Sequence, residues 1–410
     1  MTIGVGGSNA QKELDLLIPF NEKINEISLD EYKQRIVKAQ SIMKDNNISA
    51  VYLNAGTNLY YFTGTNWHAS ERMVGAIIPA YGSIQYIAPH FELDTLDSYK
   101  IVEGVNHGWH EHENPYELFS TILINLGINL GNIALDETTP FFIIDGIKKC
   151  KQECLYINAQ IVTAGCRMIK SKAEIALMQR VKDITMIVHE SVAKILYEGI
   201  TTKQVENYIH KAHIKMDAKM GSYFCIVLFG EDSAFPHGVK KPKDLELNDV
   251  VLIDTGCKID GYISDITRTY VFGEPNDRQR QVWTVEKNSQ AKAFTAAKIG
   301  NTCASVDKAA REYLFSQGFD PEYNLPGLPH RTGHGIGLDI HEWPYLVANN
   351  TTKLDVGMCF SNEPMLCIPN EFGIRLEDHF YMTESGPKWF TQPSYSIDNP
   401  FGYINKKNHG

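Results

Sequence analysis

The chain has 410 residues, enough for two domains at roughly 100 to 200 residues per domain. Its formal net charge of -10 leaves no basic stripe that would neutralise phosphates, so nucleic acid and anionic membranes are not expected partners. The first 17 residues lack the basic and apolar regions of a signal peptide, and no apolar stretch approaches 18 residues. These features predict a cytoplasmic protein and leave small neutral or cationic substrates open.

The first part of the chain has the pattern of an α/β domain. Ser28 and Glu31 are placed as in a capping box, and Asn46-Asn47 ends the helix that this box begins. Short apolar runs between turn residues predict strands, with interleaved helices such as residues 116–126. The predicted strands cover residues 50–53, 74–79, 84–88, 133–135 and 155–162. Residues 1–167 are therefore expected to form an N-terminal α/β domain.

The second part, residues 168–410, is expected to be an α+β domain with an antiparallel sheet. A capping box formed by Ser171 and Glu174 begins a long helix. Further helices are predicted at residues 202–216, 277–298 and 305–315, and strands at residues 250–253, 262–272, 357–363 and 373–382.

Two aspartates are brought together by a predicted hairpin. Asp254 closes an apolar strand, Asp265 follows eleven positions later, and Asp260-Gly261 between them is a strong signal for a two-residue turn. Such a turn pairs Gly256 with Asp265, so the two aspartates share a face as diagonal neighbours about 7 to 8 Å apart. Buried like charges at that separation need a cation between them or a raised pKa. From this pair alone, two unrelated turn and edge aspartates remain an alternative.

A cluster of three histidines, His330, His334 and His341, follows further along the chain. The spacing of the first two can indicate a zinc-binding helix, but glycine at every second position from 333 to 337 argues against any helix. A tight loop that enters a strand is predicted instead, presenting His334 and His341 to a ligand. A purely structural role for these histidines stays open at this point.

Two glutamates complete the set of candidate ligands. Glu363 ends an apolar strand, and the alternation of residues 373–380 places Arg375, Glu377 and His379 on one face. An arginine beside a glutamate suits a carboxylate ligand that a second cation supports, with a plain ion pair as the alternative.

Taken together, four carboxylates and one imidazole form an oxygen-rich set that suits two divalent cations sharing bridging carboxylates and a hydroxide. The cations would lower the pKa of the bridging water and polarise a substrate carbonyl, while a glutamate takes the proton. This chemistry is that of a hydrolase.

The order and spacing of these ligands resemble those of the pita-bread metallopeptidases, in the group of aminopeptidase P and prolidase. The layout of residues 28–162 is similar to the creatinase-like N-terminal domain of the same enzymes. The resemblance implies a creatinase-like α/β domain over residues 1–167 and a pita-bread α+β domain, carrying two metals, over residues 168–410. Its motifs are the neighbourhoods of Asp254, Asp265, His334, Glu363 and Glu377.

The resemblance also implies a role for each ligand. Asp254 would bind one metal, Asp265 and Glu377 would bridge both metals, and His334 and Glu363 would bind the other. Glu363 would act as the general base as well.

Further residues match positions of the family that lie around the metals. His237 and His341 match histidines that contact substrate and steady the tetrahedral intermediate. Arg375 matches an arginine that supports the ligands from behind.

The substrate pocket is expected to include Tyr223 and Ile226, with Trp343 and Tyr345 as further parts of an apolar wall. One departure concerns substrate length. Some dipeptidases of the family have an arginine four residues after the equivalent of His341, where it meets the carboxylate of the dipeptide, and here that position is Tyr345. This difference weakens the expectation of a dipeptide preference.

The resemblance implies hydrolysis of the Xaa-Pro bond of small peptides by a homodimer, with Mn2+ as the expected metal and Co2+ or Zn2+ as alternatives. A creatinase-like hydrolase of small amides and a non-catalytic peptide-binding module on the same fold are competing interpretations. Creatinase itself lacks the metal ligands, whereas all five are present here. Methionine aminopeptidase normally lacks a comparable N-terminal domain.

Overall fold

The computed structural model describes residues 1–403, which divide into two compact units. One unit is Asn25–Arg167, and the other combines Met1–Ile24 with the chain from Met168 onward. The expected first domain, residues 1–167, differs from the first unit because the opening 24 residues belong to the second. In the second unit, Leu17 is buried in a hydrophobic core, and helix α1 (Ala10–Leu16) precedes it.

The unit Asn25–Arg167 has six strands and six α-helices. The strands are β1 (Ile48–Asn54), β2 (Gly75–Pro79), β3 (Gln85–Pro89), β4 (Val105–Trp109), β5 (Gly131–Leu135) and β6 (Cys154–Asn158). The helices are α2 (Leu29–Asp45), α3 (Thr57–Thr63), α4 (Leu93–Tyr99), α5 (Pro115–Asn125), α6 (Phe141–Cys150) and α7 (Gln160–Arg167), with a 3-10 turn at His90–Glu92.

The strands of this unit form one mixed sheet in the order β4-β3-β2-β1-β5-β6. Strand β2 runs antiparallel to β1 and β3, and the remaining pairs are parallel. Apolar side chains of α5 and α6 pack on the sheet, with Phe119 of α5 fully buried against Tyr52 of β1. The α/β architecture expected for this part of the chain is confirmed.

Two details of the prediction for this unit are wrong. The strand predicted over residues 155–162 ends at Asn158, whose side chain accepts a hydrogen bond from the Gln160 backbone N–H as helix α7 begins. Strand β4 was not predicted, because only Trp109 within its polar sequence is buried.

The described part of the second unit contains eleven strands and, after α1, four longer helices. The strands are β7 (Ser222–Phe229), β8 (Val250–Ile259), β9 (Tyr262–Ile263), β10 (Ile266–Val271), β11 (Gly333–Gly335), β12 (Glu342–Leu346), β13 (Cys359–Asn362), β14 (Met365–Ile368), β15 (Phe372–Arg375), β16 (Asp378–Thr383) and β17 (Gly386–Trp389). The helices are α8 (Lys172–Lys194), α9 (Thr202–Lys215), α10 (Asp277–Ala296) and α11 (Cys303–Ser316), with a 3-10 turn at Gly230–Ala234. None of the helices within residues 1–403 has the length and apolar character needed to cross a bilayer.

All strand pairs described in this unit are antiparallel, as predicted. They form the sheets β10-β8-β7, with β9 also on β8, and β12-β11-β13-β16-β17, together with the pair β14-β15. Helix α8 begins with a complete capping box at Ser171 and Glu174, which confirms the predicted start.

Side chains of β8 alternate between two hydrophobic cores, and this alternation determines the direction in which Asp254 points. Val251 and Ile253 pack in the core that includes α8 and α9. Val250 and Leu252 pack on the opposite face, in the core that includes α10 and α11. Because side chains two apart share a face, Asp254 continues the second set and points to the same side as Leu252.

We predict that Phe119→Ala lowers the free energy of unfolding of the unit Asn25–Arg167 by about 3 to 5 kcal/mol, because it leaves a cavity beside Tyr52. Urea denaturation of the full chain measures this change. The matched control is Phe141→Ala, at a side chain that is 78% exposed, where a change within about 0.5 kcal/mol is expected. Equal losses in the two variants would contradict the assigned core.

Candidate metal centre

The hairpin that carries Asp254 and Asp265 has the predicted register. Ile259 pairs with Tyr262 across the turn, and Asp254 pairs with Thr267 further along. The register is the same on both sides of the short interruption between β9 and β10, where Asp265 lies. The two aspartates are therefore diagonal neighbours, and both side chains are buried.

His334 is held in a short strand, β11, between two glycines. A Cβ atom on Gly333 would lie 2.1 Å from the Ser361 carbonyl oxygen, and one on Gly335 would lie 2.4 Å from the Glu342 carbonyl oxygen. Glycine is therefore required on each side of His334 for the neighbouring strands to approach. The predicted loop that enters a strand is confirmed here.

Hydrogen bonds fix the orientation of the His334 ring. Its backbone N–H donates to Ser361 Oγ at 2.9 Å, and its Nδ1 is 3.0 Å from the Gly335 carbonyl oxygen. Nε2 lies 3.0 Å from Glu363 Oε1 and 3.6 Å from Asp265 Oδ2. The free ring nitrogen is thus directed at two carboxylates.

Glu363 follows β13, and its backbone N–H donates to the Thr332 carbonyl oxygen at 2.8 Å. Burial alone would raise the pKa of Glu363, but His334, His330 and Arg375 outweigh burial and hold that pKa below its ordinary value. Glu363 is consequently ionised at neutral pH.

Glu377 lies at a break between β15 and β16, where a single strand had been predicted over residues 373–382. The Glu377 backbone N–H donates to the Thr267 carbonyl oxygen at 3.1 Å, and Thr267 Oγ1 donates to Glu377 Oε2 at 2.8 Å. The break separates the pairing of β15 with β14 from that of β16 with β13 and β17. Glu377 therefore takes part in no β-ladder of its own and is held by hydrogen bonds to Thr267 of β10.

Arg268 and Gln290 support this break, and the sequence analysis assigned no role to either. The fully buried Arg268 donates to the Glu377 carbonyl oxygen at 2.9 Å and pairs with Asp378 at 2.6 Å. Gln290 donates to the Leu376 carbonyl oxygen at 3.0 Å. An arginine in the middle of a predicted strand was the available signal, since a charged residue is seldom buried without a partner.

Arg375 is the counter-charge closest to the carboxylates. It forms a direct ion pair with Asp254, and its Nε donates to Thr267 Oγ1 at 3.0 Å. Burial would lower the pKa of Arg375, but Asp254, Glu377 and the other nearby carboxylates raise it above its ordinary value. Its guanidinium is always charged and holds Asp254 from the side. The position predicted for Arg375, behind the candidate ligands, agrees with this geometry.

Negative charge is nevertheless in excess at this point. Burial together with the neighbouring carboxylates raises the pKa values of Asp265 and Glu377 well above the ordinary range. His379 adjoins Glu377, but burial lowers its pKa well below the ordinary value, so it adds no positive charge. One arginine cannot balance four carboxylates in a buried site.

The donor atoms fit divalent cations. Within residues 1–403, Asp254 Oδ1, Glu377 Oε1 and His334 Nε2 are buried without a hydrogen-bond partner. One candidate group for a metal joins His334, Glu363 and Glu377, and others include Asp265 with His334 or with Glu377. Carboxylate oxygens with a single imidazole are the donors that manganese and similar ions accept.

A cavity of about 280 Å³ opens onto this cluster. Of the residues predicted around the metals, His237, His341 and Ile226 line it, in addition to the carboxylates and Arg375. The lining also includes side chains to which the sequence analysis gave no role there, namely Phe224, Pro236, His330, Arg331 and Ile340.

The structure does not place Tyr223, Trp343 or Tyr345 among the residues that line this cavity. Tyr223 lies outside the cavity because of a β-bulge. The register of β7 shifts between Ser222 and Phe224, and Tyr223 is the residue left unpaired in the ladder. Its ring is 47% exposed. Phe224 and Ile226, two apart on the same face, form the apolar wall instead.

The three histidines of the loop region differ in their surroundings. The ring of His341 packs against that of His334 with centroids 4.2 Å apart, and its enclosure together with this neighbour lowers the pKa of His341 to about 4. Burial also lowers the pKa of His330. His341 and His330 are therefore neutral at pH 7 and present uncharged imidazoles to the cavity.

Comparisons with known proteins agree with this geometry. Residues 176–384 match the profile of metallopeptidase family M24, and residues 35–169 match the creatinase/prolidase N-terminal domain. The chain is 29% identical over 360 residues to a Xaa-Pro dipeptidase of Pyrococcus furiosus, covering 88% of this chain and 98% of that protein.

Solved structures give the same result. A dipeptidase, PepE, from Mycobacterium ulcerans superposes with a TM-score of 0.83 at 30% identity, covering 90% of this chain and 97% of that one. A prolidase from Thermococcus sibiricus superposes with a TM-score of 0.80 at 29% identity, covering 90% and 98%. The chain therefore belongs to metallopeptidase family M24. The predicted fold class, a creatinase-like α/β domain and a pita-bread α+β domain, is confirmed.

We predict that the Mn2+-reconstituted protein binds about two metal ions per chain and that Asp265→Asn binds at most one, because it removes a carboxylate that we expect both ions to share. Elemental analysis after gel filtration measures the content. Asp244→Asn, at an exposed aspartate of the same unit, is the control and should keep both ions. Equal metal content in the two variants would count against Asp265 as a ligand.

We also predict that metal binding releases protons. The raised pKa values of Asp265 and Glu377 leave these carboxyls partly protonated in the metal-free protein, and a cation must displace those protons. Apparent Mn2+ affinity should therefore rise with pH over a range above that of an ordinary carboxyl group, because the pKa values of both groups are raised. Calorimetry in two buffers of different ionisation enthalpy measures the proton count, and a count of zero would refute the assigned protonation.

Proposed function

We propose that this protein is a metal-dependent peptidase that hydrolyses the Xaa-Pro bond of small peptides. The observation that carries the proposal is the largely buried cluster of four carboxylates and one imidazole, whose carboxylates line a cavity. Family M24 supplies the reaction class, and the relatives described as Xaa-Pro dipeptidase and prolidase suggest the substrate class.

In this proposal five residues hold two divalent cations. Asp254 would hold one ion, His334 and Glu363 would hold the other, and Asp265 and Glu377 would be shared by both. Mn2+ is the proposed metal, with Co2+ or Zn2+ as alternatives, because the donor set is mostly carboxylate with one imidazole.

When bound, such cations make water acidic and polarise the substrate carbonyl. Glu363 then accepts the proton of the attacking water, for which its lowered pKa keeps it ionised. It passes that proton to the departing proline nitrogen. A proline nitrogen carries no hydrogen before cleavage, so this transfer is needed for the imide bond to break.

His237 and His341 are proposed to contact the substrate carbonyl and the oxyanion that develops from it. Both line the cavity, and His341 is neutral with a ring that can donate one hydrogen bond. The proline ring is proposed to rest on the apolar wall formed by Phe224 and Ile226. Such a wall favours a rigid, apolar ring over a flexible polar side chain.

Two alternatives are not favoured. A creatinase-like amide hydrolase would not need the metal ligands, and a peptide-binding module would not need to retain them. The homodimer, the cytoplasmic location and the identity of the metal stay predictions from the sequence.

We predict that the protein with Mn2+ hydrolyses Leu-Pro and Leu-Pro-Gly but not Leu-Ala, because only the proline peptides present the ring that the apolar wall selects. EDTA should abolish the activity, and added Mn2+ should restore it. The ratio of kcat/KM for the dipeptide and the tripeptide separates a dipeptidase from an aminopeptidase. Absence of turnover on both proline peptides by metal-loaded protein would refute the proposal.

A further inference from the structure

Arg331 lines the cavity on the side of His341, three residues before the candidate ligand His334. Its Nη2 lies 3.5 Å from His341 Nδ1, so the guanidinium contacts a side chain that adjoins the candidate metal cluster. The side chain is only partly buried, so its charge can meet a solute that enters the cavity.

The charge of Arg331 has no carboxylate partner in the part of the chain that the structure describes. This distinguishes it from Arg375, the other arginine of the cavity wall, whose charge is taken up by Asp254. Arg331 is therefore the cationic group of the cavity wall that remains available to an anionic ligand.

The guanidinium of Arg331 is held by stacking. Its central carbon lies 4.3 Å from the centroid of the Tyr345 ring, within the range of a cation–π contact. Tyr345 pairs directly with His334 across strands β11 and β12, so the ring that supports Arg331 has a fixed position relative to a candidate ligand. Stacking covers one face of the guanidinium, and its N–H groups other than the one that faces His341 Nδ1 can donate to a carboxylate.

We propose that Arg331, supported by Tyr345, binds the C-terminal carboxylate of an Xaa-Pro dipeptide and thereby sets substrate length. The proposal rests on the proposed peptidase function and deepens it. Tyr345 occupies the position at which some dipeptidases of the family carry an arginine. Here the positive charge is that of Arg331, which lies just before β11, and the guanidinium stacks on the ring of Tyr345.

The size of a dipeptide agrees with this arrangement. Three bonds separate the scissile carbonyl carbon from the carboxylate carbon of proline, and the proline ring fixes one of the torsions between them, so the two carbons are roughly 3 to 4 Å apart. A dipeptide whose carbonyl lies among the candidate ligands must therefore place its carboxylate at the nearby cavity wall. In a longer peptide this position is a neutral carbonyl, which gains much less from a guanidinium.

The test compares Leu-Pro, Leu-Pro-amide and Leu-Pro-Gly on the full-length, Mn2+-loaded protein. For Arg331→Met, we expect kcat/KM on Leu-Pro to fall about 10- to 100-fold, because a charge-assisted pair is lost. The amide and the tripeptide should change by less than about threefold, since neither has a carboxylate at this position. Arg331→Lys should recover part of the activity on Leu-Pro.

A binding measurement separates this role from a structural one. Calorimetry with L-proline and L-prolinamide should show that the wild-type protein prefers the carboxylate and that Arg331→Met loses the preference. Arg278→Met is the matched control, at an exposed arginine of the same unit that pairs with Glu371, and it should change neither measurement.

The outcomes are distinguishable. A uniform loss on all three substrates in both Arg331→Met and Arg331→Lys, or an unchanged preference for proline over prolinamide, would overturn the role of Arg331 and leave the peptidase function in place. Inactivity of the wild-type protein on all three substrates would remove the proposed function, and this inference with it.

Discussion

Repulsion among buried carboxylates is the constraint on which the site depends. Asp265 and Glu377 are held close enough to each other and to Glu363 that their pKa values rise well above the ordinary range. A fold does not keep such a cluster for stability, because apolar residues of similar size would usually be at least as stable. The cluster becomes favourable once divalent cations occupy it, and metal binding then contributes to the stability of the folded chain.

Hydrogen bonds and ion pairs from the surrounding residues hold these carboxylates in place against their mutual repulsion. Arg375 holds Asp254 from the side, and Arg268 holds the backbone of Glu377 through a carbonyl oxygen. The Thr267 hydroxyl links these two groups, because it accepts a hydrogen bond from Arg375 and donates one to Glu377. Thr267 and Arg268 of β10 thus support Glu377 directly, and Thr267 supports Asp254 through Arg375. Loss of either side chain would release candidate ligands that β10 does not itself provide.

The sequence could predict those parts of the site that depend on local geometry. The positions of Asp254 and Asp265 follow from one turn and the alternation of two strands, and the register agrees with the prediction. One residue of the cavity wall could not be placed in this way, because the register of β7 shifts at Tyr223 and leaves Phe224, rather than Tyr223, on the same face as Ile226. The supporting roles of Arg268 and Gln290 depend on contacts between segments far apart in the chain, which no local pattern contains.

In the proposed arrangement, one part of the cavity recognises the substrate carboxylate and another part carries out the hydrolysis. A permanent positive charge next to bound cations would weaken their binding, but the ring of His341 lies between Arg331 and the candidate ligand His334. The guanidinium can therefore attract a carboxylate without contacting the metal ligands. Because Arg331 and Tyr345 provide none of those ligands, substitutions at these two positions could alter the preferred peptide length while the dimetal chemistry is preserved.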